Sequence, residues 1–82
     1  MNEQQLDYVY RLVKEQLRIN FEIEHDADLI LLGLDSIKTV NLIVCLEDFF
    51  DITFEDHELF VSNFSSISKV VSIIEQKVER LC

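Results

Sequence analysis

Few side chains in this sequence are equipped for chemistry. In "LLGLDSIKTVNLIVCLEDFF", residues 31 to 50, a single serine, Ser36, lies between Asp35 and Ile37 where a helix is due to begin. A hydrolase nucleophile would sit in Gly-x-Ser-x-Gly on a strand-to-helix turn. "LDSIK" has neither glycine, and no strand is expected before it. Two readings remain: a serine that merely starts a helix, and a serine that holds an anion. Asp35 can cap the helix by accepting amide hydrogens of its first turn, which leaves Ser36 at the first helical position. There the free amides and the positive end of the dipole favour an attached or bound anion. Gly33, two residues before Asp35, gives the chain freedom to turn into the helix.

The other candidates are weaker. His25 ("EHD") and His57 ("EDHE") are the only histidines. A metal site needs three or four convergent ligands, and nothing in the sequence brings these two together. No resident metal is expected. "DITFEDHELFVS" has the length of a calcium loop but fails at two positions: Asp56 stands sixth, where glycine is required, and Ser62 twelfth, where a bidentate glutamate is required. Cys45 falls within an apolar helical run and reads as a small packing residue, while Cys82 ends the chain. Neither suggests a disulfide framework.

The elements around Ser36 follow from periodicity. With no proline and one glycine, the chain favours uninterrupted helices. Residues 3 to 18 carry Leu6, Val9, Tyr10, Val13 and Leu17 at three- and four-residue steps, an amphipathic first helix with Asn2 as N-cap. Lys14 and Arg18 suit its C-terminal end. "INFEIE", 19 to 24, alternates apolar and polar but has no strand to pair with, so an extended loop is expected as far as Asp35. Leu29, Ile30, Leu32 and Leu34 are the residues to pin that loop to the core. The second helix is expected over 36 to 50 and a short third over 56 to 61. The fourth should start near Ser65 or Ser66 and run to about Arg80, with Ile67, Val70, Val71, Ile74 and Val78 inward. The fold class is all-α: a small four-helix bundle with one long loop between helices 1 and 2.

On a wheel at about 100° per residue, the second helix has two apolar faces. Leu42, Ile43, Leu46, Phe49 and Phe50 form a broad arc, the core face. Ile37, Val40 and Val44 lie opposite, with Asn41 and Asp48 beside them and Ser36 and Glu47 along the edge. A surface helix needs one apolar stripe. The second is either covered by another element or kept exposed for a partner.

"LGLDSI" followed by "LIVCLEDFFDI", an acidic short helix and "NFSSISKVVSII" resembles the acyl and peptidyl carrier protein family. The resemblance runs from Leu29 to about Ile74, with the first helix fitting in length and position. Gly-x-Asp-Ser-[Leu/Ile] is a short motif that gains specificity in register with Leu42, Leu46, Glu47, Phe50 and Ile52. It implies that a phosphopantetheinyl transferase attaches 4′-phosphopantetheine from coenzyme A to Ser36. The terminal thiol of that arm then holds an acyl or aminoacyl group as a thioester. Partner enzymes would read Asp35, Ile37, Lys38, Val40, Asn41, Val44, Glu47 and Asp48 on or at the start of the second helix. Glu55, Asp56 and Glu58 would form a second acidic patch. Implied partners are the transferase, an acyl- or amino-acid-loading ligase or adenylation enzyme, and downstream synthase or tailoring enzymes. Fatty-acid-synthesis carriers generally have acids early in this helix, where Lys38 and Asn41 stand here. They often have a proline after the Phe-Asp stretch, where "FDITFED" has none. Both differences point to a stand-alone carrier of a polyketide, nonribosomal peptide or related pathway.

Size and charge agree with a carrier that does no catalysis itself. The 82 residues suit one domain, 1–82, with a core but little room for a deep enzyme cleft. Residues 19 to 68 hold eleven acids against Lys38 alone, a net of −10, while the flanks nearly cancel. Such a surface repels nucleic acid and anionic lipid and attracts basic protein patches. No leader, membrane span or cysteine framework is read, so a soluble, cytoplasmic monomer is expected. The competing function is an unmodified helical protein–protein interaction module whose second apolar stripe docks one stable partner.

Overall fold

Asn2 sets the start of α1, Glu3–Leu17. Its backbone is extended, its Oδ1 accepts the Gln5 amide at 2.8 Å, and its own amide donates to Gln5 Oε1 at 3.0 Å. Two otherwise orphaned donors are thereby satisfied. The helix closes at Arg18, whose left-handed backbone (φ 57°) lets its amide reach the Glu15 carbonyl. This is a computed structural model that describes the backbone of residues 1–81 and the side chains of residues 1–78. Cys82, read as the end of the chain, lies outside the described residues.

The buried face of α1 is Val9, Leu12, Val13 and Leu17. Leu6, expected in the core, is exposed, and Tyr10 is half-buried. Both border an open groove along the last helix, with His25, Val71 and Ser72. The inward arc is therefore rotated toward Leu12, which the three- and four-residue steps from Leu6 passed over.

The long connection after α1 contains no strand among the described residues. Ile23, Leu29 and Leu34 are its buried anchors. Two backbone hydrogen bonds fix it to the chain entering the last helix: Leu29 N to Ser65 O and Ser68 N to His25 O, each 2.8 Å. Of the four expected pins, Leu32 is half-buried and Ile30 is exposed. The cause is a tight turn in which the Leu32 and Leu34 amides both donate to the Leu29 carbonyl and Asp28 Oδ1 accepts the Ile30 amide. Such a turn directs the two middle members of "LILL", Ile30 and Leu31, to solvent.

α2 spans Ser36–Phe50 and buries Thr39, Leu42, Ile43 and Leu46. The buried Thr39 hydroxyl is satisfied by the Asp35 carbonyl at 2.7 Å. Phe50 is half-buried, but Phe49, expected in the core, is about half exposed (48%). Its ring stacks on Tyr8 of α1 with centroids 3.9 Å apart, covering one face of each. Asp51, at φ 55°, ends the helix by donating its amide to the Glu47 carbonyl.

The expected third helix over 56 to 61 is instead two 3-10 turns, Asp56–Glu58 and Val61–Phe64. One turn's worth of sequence cannot repay the cost of α-helix nucleation. The tighter turns are held locally, Glu58 Oε1 accepting the Glu55 amide at 2.8 Å, and they deliver Phe64 fully into the core. Its ring meets Phe54 edge-on at 5.5 Å.

α3, Ile67–Leu81, completes the all-α fold, with Ile67, Val70 and Ile74 buried and Val71 half-buried. Val78, expected inward, is exposed, and Lys77 takes the inward place. Residues 67, 70, 74 and 77 form one continuous helical face, so the geometry selects the lysine over its apolar neighbour. Its stem is buried, and its ammonium pairs with Glu58 at 2.6 Å and lies 5.1 Å from the centre of the Phe54 ring. No helix is long and apolar enough to cross a membrane among the described residues.

The Glu58–Lys77 pair ties the 3-10 segment to α3 and makes stability acid-sensitive. Burial acts to raise the Glu58 carboxyl, but the Glu55 amide and the Lys77 ammonium outweigh it, with help from His57, and hold it below its ordinary value. A carboxyl lowered in the folded state adds stability that is fully present above the unfolded value and is lost as pH falls through the folded one. Denaturant midpoints measured across the acid range should therefore fall below the usual carboxylate range. Glu58→Gln should flatten part of that fall, and an unchanged pH profile in the variant would show that the pair contributes nothing.

Candidate functional site

The local approach to Ser36 is shaped by the preceding eight residues. Asp28 and the Leu29 carbonyl shape the turn, and Gly33 leaves it at φ 111°, a conformation that side-chain-bearing residues rarely adopt. Leu34 plugs into the core and fixes the approach to the helix. Asp35 then adopts extended backbone, and its Oδ1 accepts the Lys38 amide at 2.8 Å while its carbonyl accepts the Thr39 amide at 2.9 Å. Ser36 follows as the first residue of a fifteen-residue helix, and its side chain is exposed. The amides of Ser36 and Ile37 have no protein acceptor among the described residues. An anion on the Ser36 oxygen would therefore meet free donors and the positive end of α2.

The second apolar stripe lies open. Ile37 is 75% exposed, Val40 56% and Val44 55%. Asn41 and Asp48 are exposed beside it. Leu31, 84% exposed in the turn before Gly33, adds apolar surface that the sequence reasoning did not single out. Its signal was the run "LILLGL", too apolar for one short turn to bury throughout. Leu59 and Phe60 are likewise exposed between the two 3-10 turns.

The remaining candidates divide between free and committed groups. Glu47 is half-buried, with its Oε2 accepting the Phe54 amide at 2.9 Å, so its carboxylate braces the chain after α2. Glu58 is committed to Lys77, whereas Asp56 and Glu55 are exposed. Lys38 does not extend toward solvent. Its ammonium turns back to the Gly33 carbonyl at 3.0 Å. Cys45 is a free thiol, half-buried and packed against the core. It lies near Tyr8, whose phenol is pushed up by burial first and then by Cys45, Glu15 and Asp48. The structure does bring Glu55, His57 and Glu58 together, with ligand atoms within 4.8 Å of one another. His57 Nδ1 lies 3.4 Å from Glu55 Oε2 in a solvated pair, and His25 is not part of the group.

What this arrangement offers is an exposed acceptor hydroxyl beside the Asp35 carboxylate, which is committed to the Lys38 amide. The residues fit a prosthetic group joined through phosphate: the Ser36 side chain is exposed, and the adjacent amides have no protein acceptor among the described residues. Such a group supplies a flexible arm with a terminal thiol for thioester formation.

Comparison with known proteins agrees. The family model described as "Phosphopantetheine attachment site" matches residues 7–74, which include the turn that carries Ser36. An acyl carrier protein of Exiguobacterium sibiricum is 38% identical over 68 residues, covering 83% of this chain and 80% of that protein. An acyl carrier protein of Guillardia theta is 33% identical over 81 residues, covering 95% of this chain and 98% of the relative. On matches that take in the helices, the long loop and the serine-bearing turn together, the chain belongs to the acyl carrier protein family: it is a carrier with a 4′-phosphopantetheine prosthetic group and no catalytic activity of its own.

Proposed function

We propose that Ser36 is the attachment point of the prosthetic group, and that residues 1–82 act as one stand-alone carrier domain. It would serve polyketide, nonribosomal peptide or related secondary-metabolite assembly in the cytoplasm. The observation that carries the first part is the exposed Ser36 hydroxyl at the amide-rich start of α2, beside an uncovered apolar stripe. The pathway rests on Lys38 and Asn41, where fatty-acid carriers generally have acids, and on the missing proline after "FDITF".

In this role the chain presents and does not react. A substrate held on the arm reaches each enzyme at an effective concentration on the order of mM, set by the tether. Docking has to be weak and reversible, which suits a small apolar patch with a polar rim. Asp35, Ile37, Lys38, Val40, Asn41, Val44, Glu47 and Asp48 are the proposed contacts, with Glu55, Asp56 and Glu58 as a second patch. The partners are a phosphopantetheinyl transferase, a loading ligase or adenylation enzyme, and downstream synthase or tailoring enzymes. Incubation with coenzyme A and a broad-specificity phosphopantetheinyl transferase should add the mass of one phosphopantetheine. No gain, together with one tight stoichiometric partner, would favour an unmodified interaction module.

The stripe has its own test. Val40→Glu or Val44→Glu should leave helicity and thermal midpoint close to the wild type, yet slow loading by a partner enzyme roughly 10-fold, a docking loss of about 1.4 kcal/mol. Unfolding of either variant would show that the stripe is needed by the core.

A further inference from the structure

Lys38 is the only lysine or arginine between residues 19 and 68, and it stands two residues after Ser36. Its position runs against simple electrostatics. The first turn of a helix disfavours positive charge, and Lys38 is the third residue of α2. Surrounded in sequence by acids, it makes no ion pair among the described residues. The half-buried side chain instead folds back past the helix start and donates to the Gly33 carbonyl at 3.0 Å. That acceptor is neutral, so the hydrogen bond places the cation without giving it an anion. The charge is held at the Gly33 carbonyl, three residues before Ser36 at the N-terminal end of α2, the end at which the Ser36 and Ile37 amides have no protein acceptor among the described residues.

We infer that Lys38 is the counter-ion of the phosphodiester on Ser36, a positioning residue that sets where the prosthetic arm leaves the protein. The inference rests on Ser36 being the attachment point. A phosphodiester keeps one negative charge at neutral pH and must sit beside the Asp35 carboxylate, whose hydrogen bond to the Lys38 amide fixes it at the cap. The helix end offers only about half a unit of opposing charge. An ammonium has three donors, so Lys38 can keep the Gly33 carbonyl and still take a phosphate oxygen. The turn and the arm would then be braced by one side chain.

Wild type, Lys38→Met and Lys38→Arg are each prepared in apo and holo forms, confirmed by intact mass, for thermal unfolding and phosphorus-31 NMR. In low salt, loading should raise the wild-type midpoint by roughly 2–4 °C more than that of Lys38→Met. Lys38→Arg should retain most of this difference, and about 1 M salt should abolish it. The phosphodiester resonance of Lys38→Met should differ from the wild type in low salt and converge with it in high salt. If Lys38→Met folds poorly, Lys38→Gln removes the same charge. Equal midpoint gains with an unchanged phosphorus resonance would overturn the inference and leave Lys38 as a brace for the Gly33 turn. Failure of the attachment reading would appear earlier and separately, as no mass gain on the wild type, and would remove both.

Discussion

Ser36→Ala should take up no phosphopantetheine under conditions that load the wild type fully, and it should fold as the wild type does. The size of the effect follows from the geometry. In the proposed reading the Ser36 oxygen is the atom that bonds to phosphorus, and no other hydroxyl is exposed in the first turn of α2. Thr39, the next hydroxyl along, is buried and donates to the Asp35 carbonyl. The fold should be indifferent because the cap belongs to Asp35, through its carboxylate and carbonyl, while the exposed Ser36 side chain makes no hydrogen bond among the described residues. Surface changes of this kind fall within about 0.5 kcal/mol. Intact mass after transferase treatment and circular dichroism of both proteins check the two halves. Loading of the variant would show that the acceptor is elsewhere.

Phe64→Ala should have the largest effect on stability, a loss of about 3–5 kcal/mol. Phe64 is fully buried, sits edge-on against Phe54, and is the one buried residue of the second 3-10 turn. Its loss empties the junction through which α2 is connected to α3. Since domains of this size have total stabilities of about 5–15 kcal/mol, the variant should be largely unfolded in modest denaturant. Phe60→Ala provides the internal contrast. Phe60 is 61% exposed, and its removal should cost less than about 0.5 kcal/mol. Urea titration of the three proteins measures this directly, and similar midpoints for Phe60→Ala and Phe64→Ala would contradict the described packing.

The functional end of the molecule was the more legible part of the sequence. Asn2 and Asp35 announce α1 and α2 because a cap is a local device, decided by one side chain and the next three amides. The two faces of α2 separate on a wheel because a regular helix fixes the angle between residues. The exposure of Ile37, Val40 and Val44 bears out that the second stripe is not covered by the bundle.

Less could be read where tertiary contact overrides local pattern. "DHELFV" has helical composition, yet placing Phe64 in the core and pairing Glu58 with Lys77 calls for two tight 3-10 turns. Lys77 escaped notice because hydrophobicity nominated Val78, while the direction of the face is set by Ile67, Val70 and Ile74. The wheel puts Phe49 at the inward arc, but its ring stacks on Tyr8 and stays about half exposed. Leu6 lies at the margin of the α1–α3 groove, a boundary that depends on how the helices are set against each other. In these cases local pattern suggested one arrangement, and contacts with residues distant in the sequence produced another.

Fragmentation mass spectrometry of the intact holo protein locates the prosthetic group residue by residue. A single phosphopantetheine is expected on the Ser36 side chain, with none on Thr39 or on the serines from Ser62 to Ser72. A group found on any other residue, or a fully competent protein that carries none, would contradict attachment at Ser36.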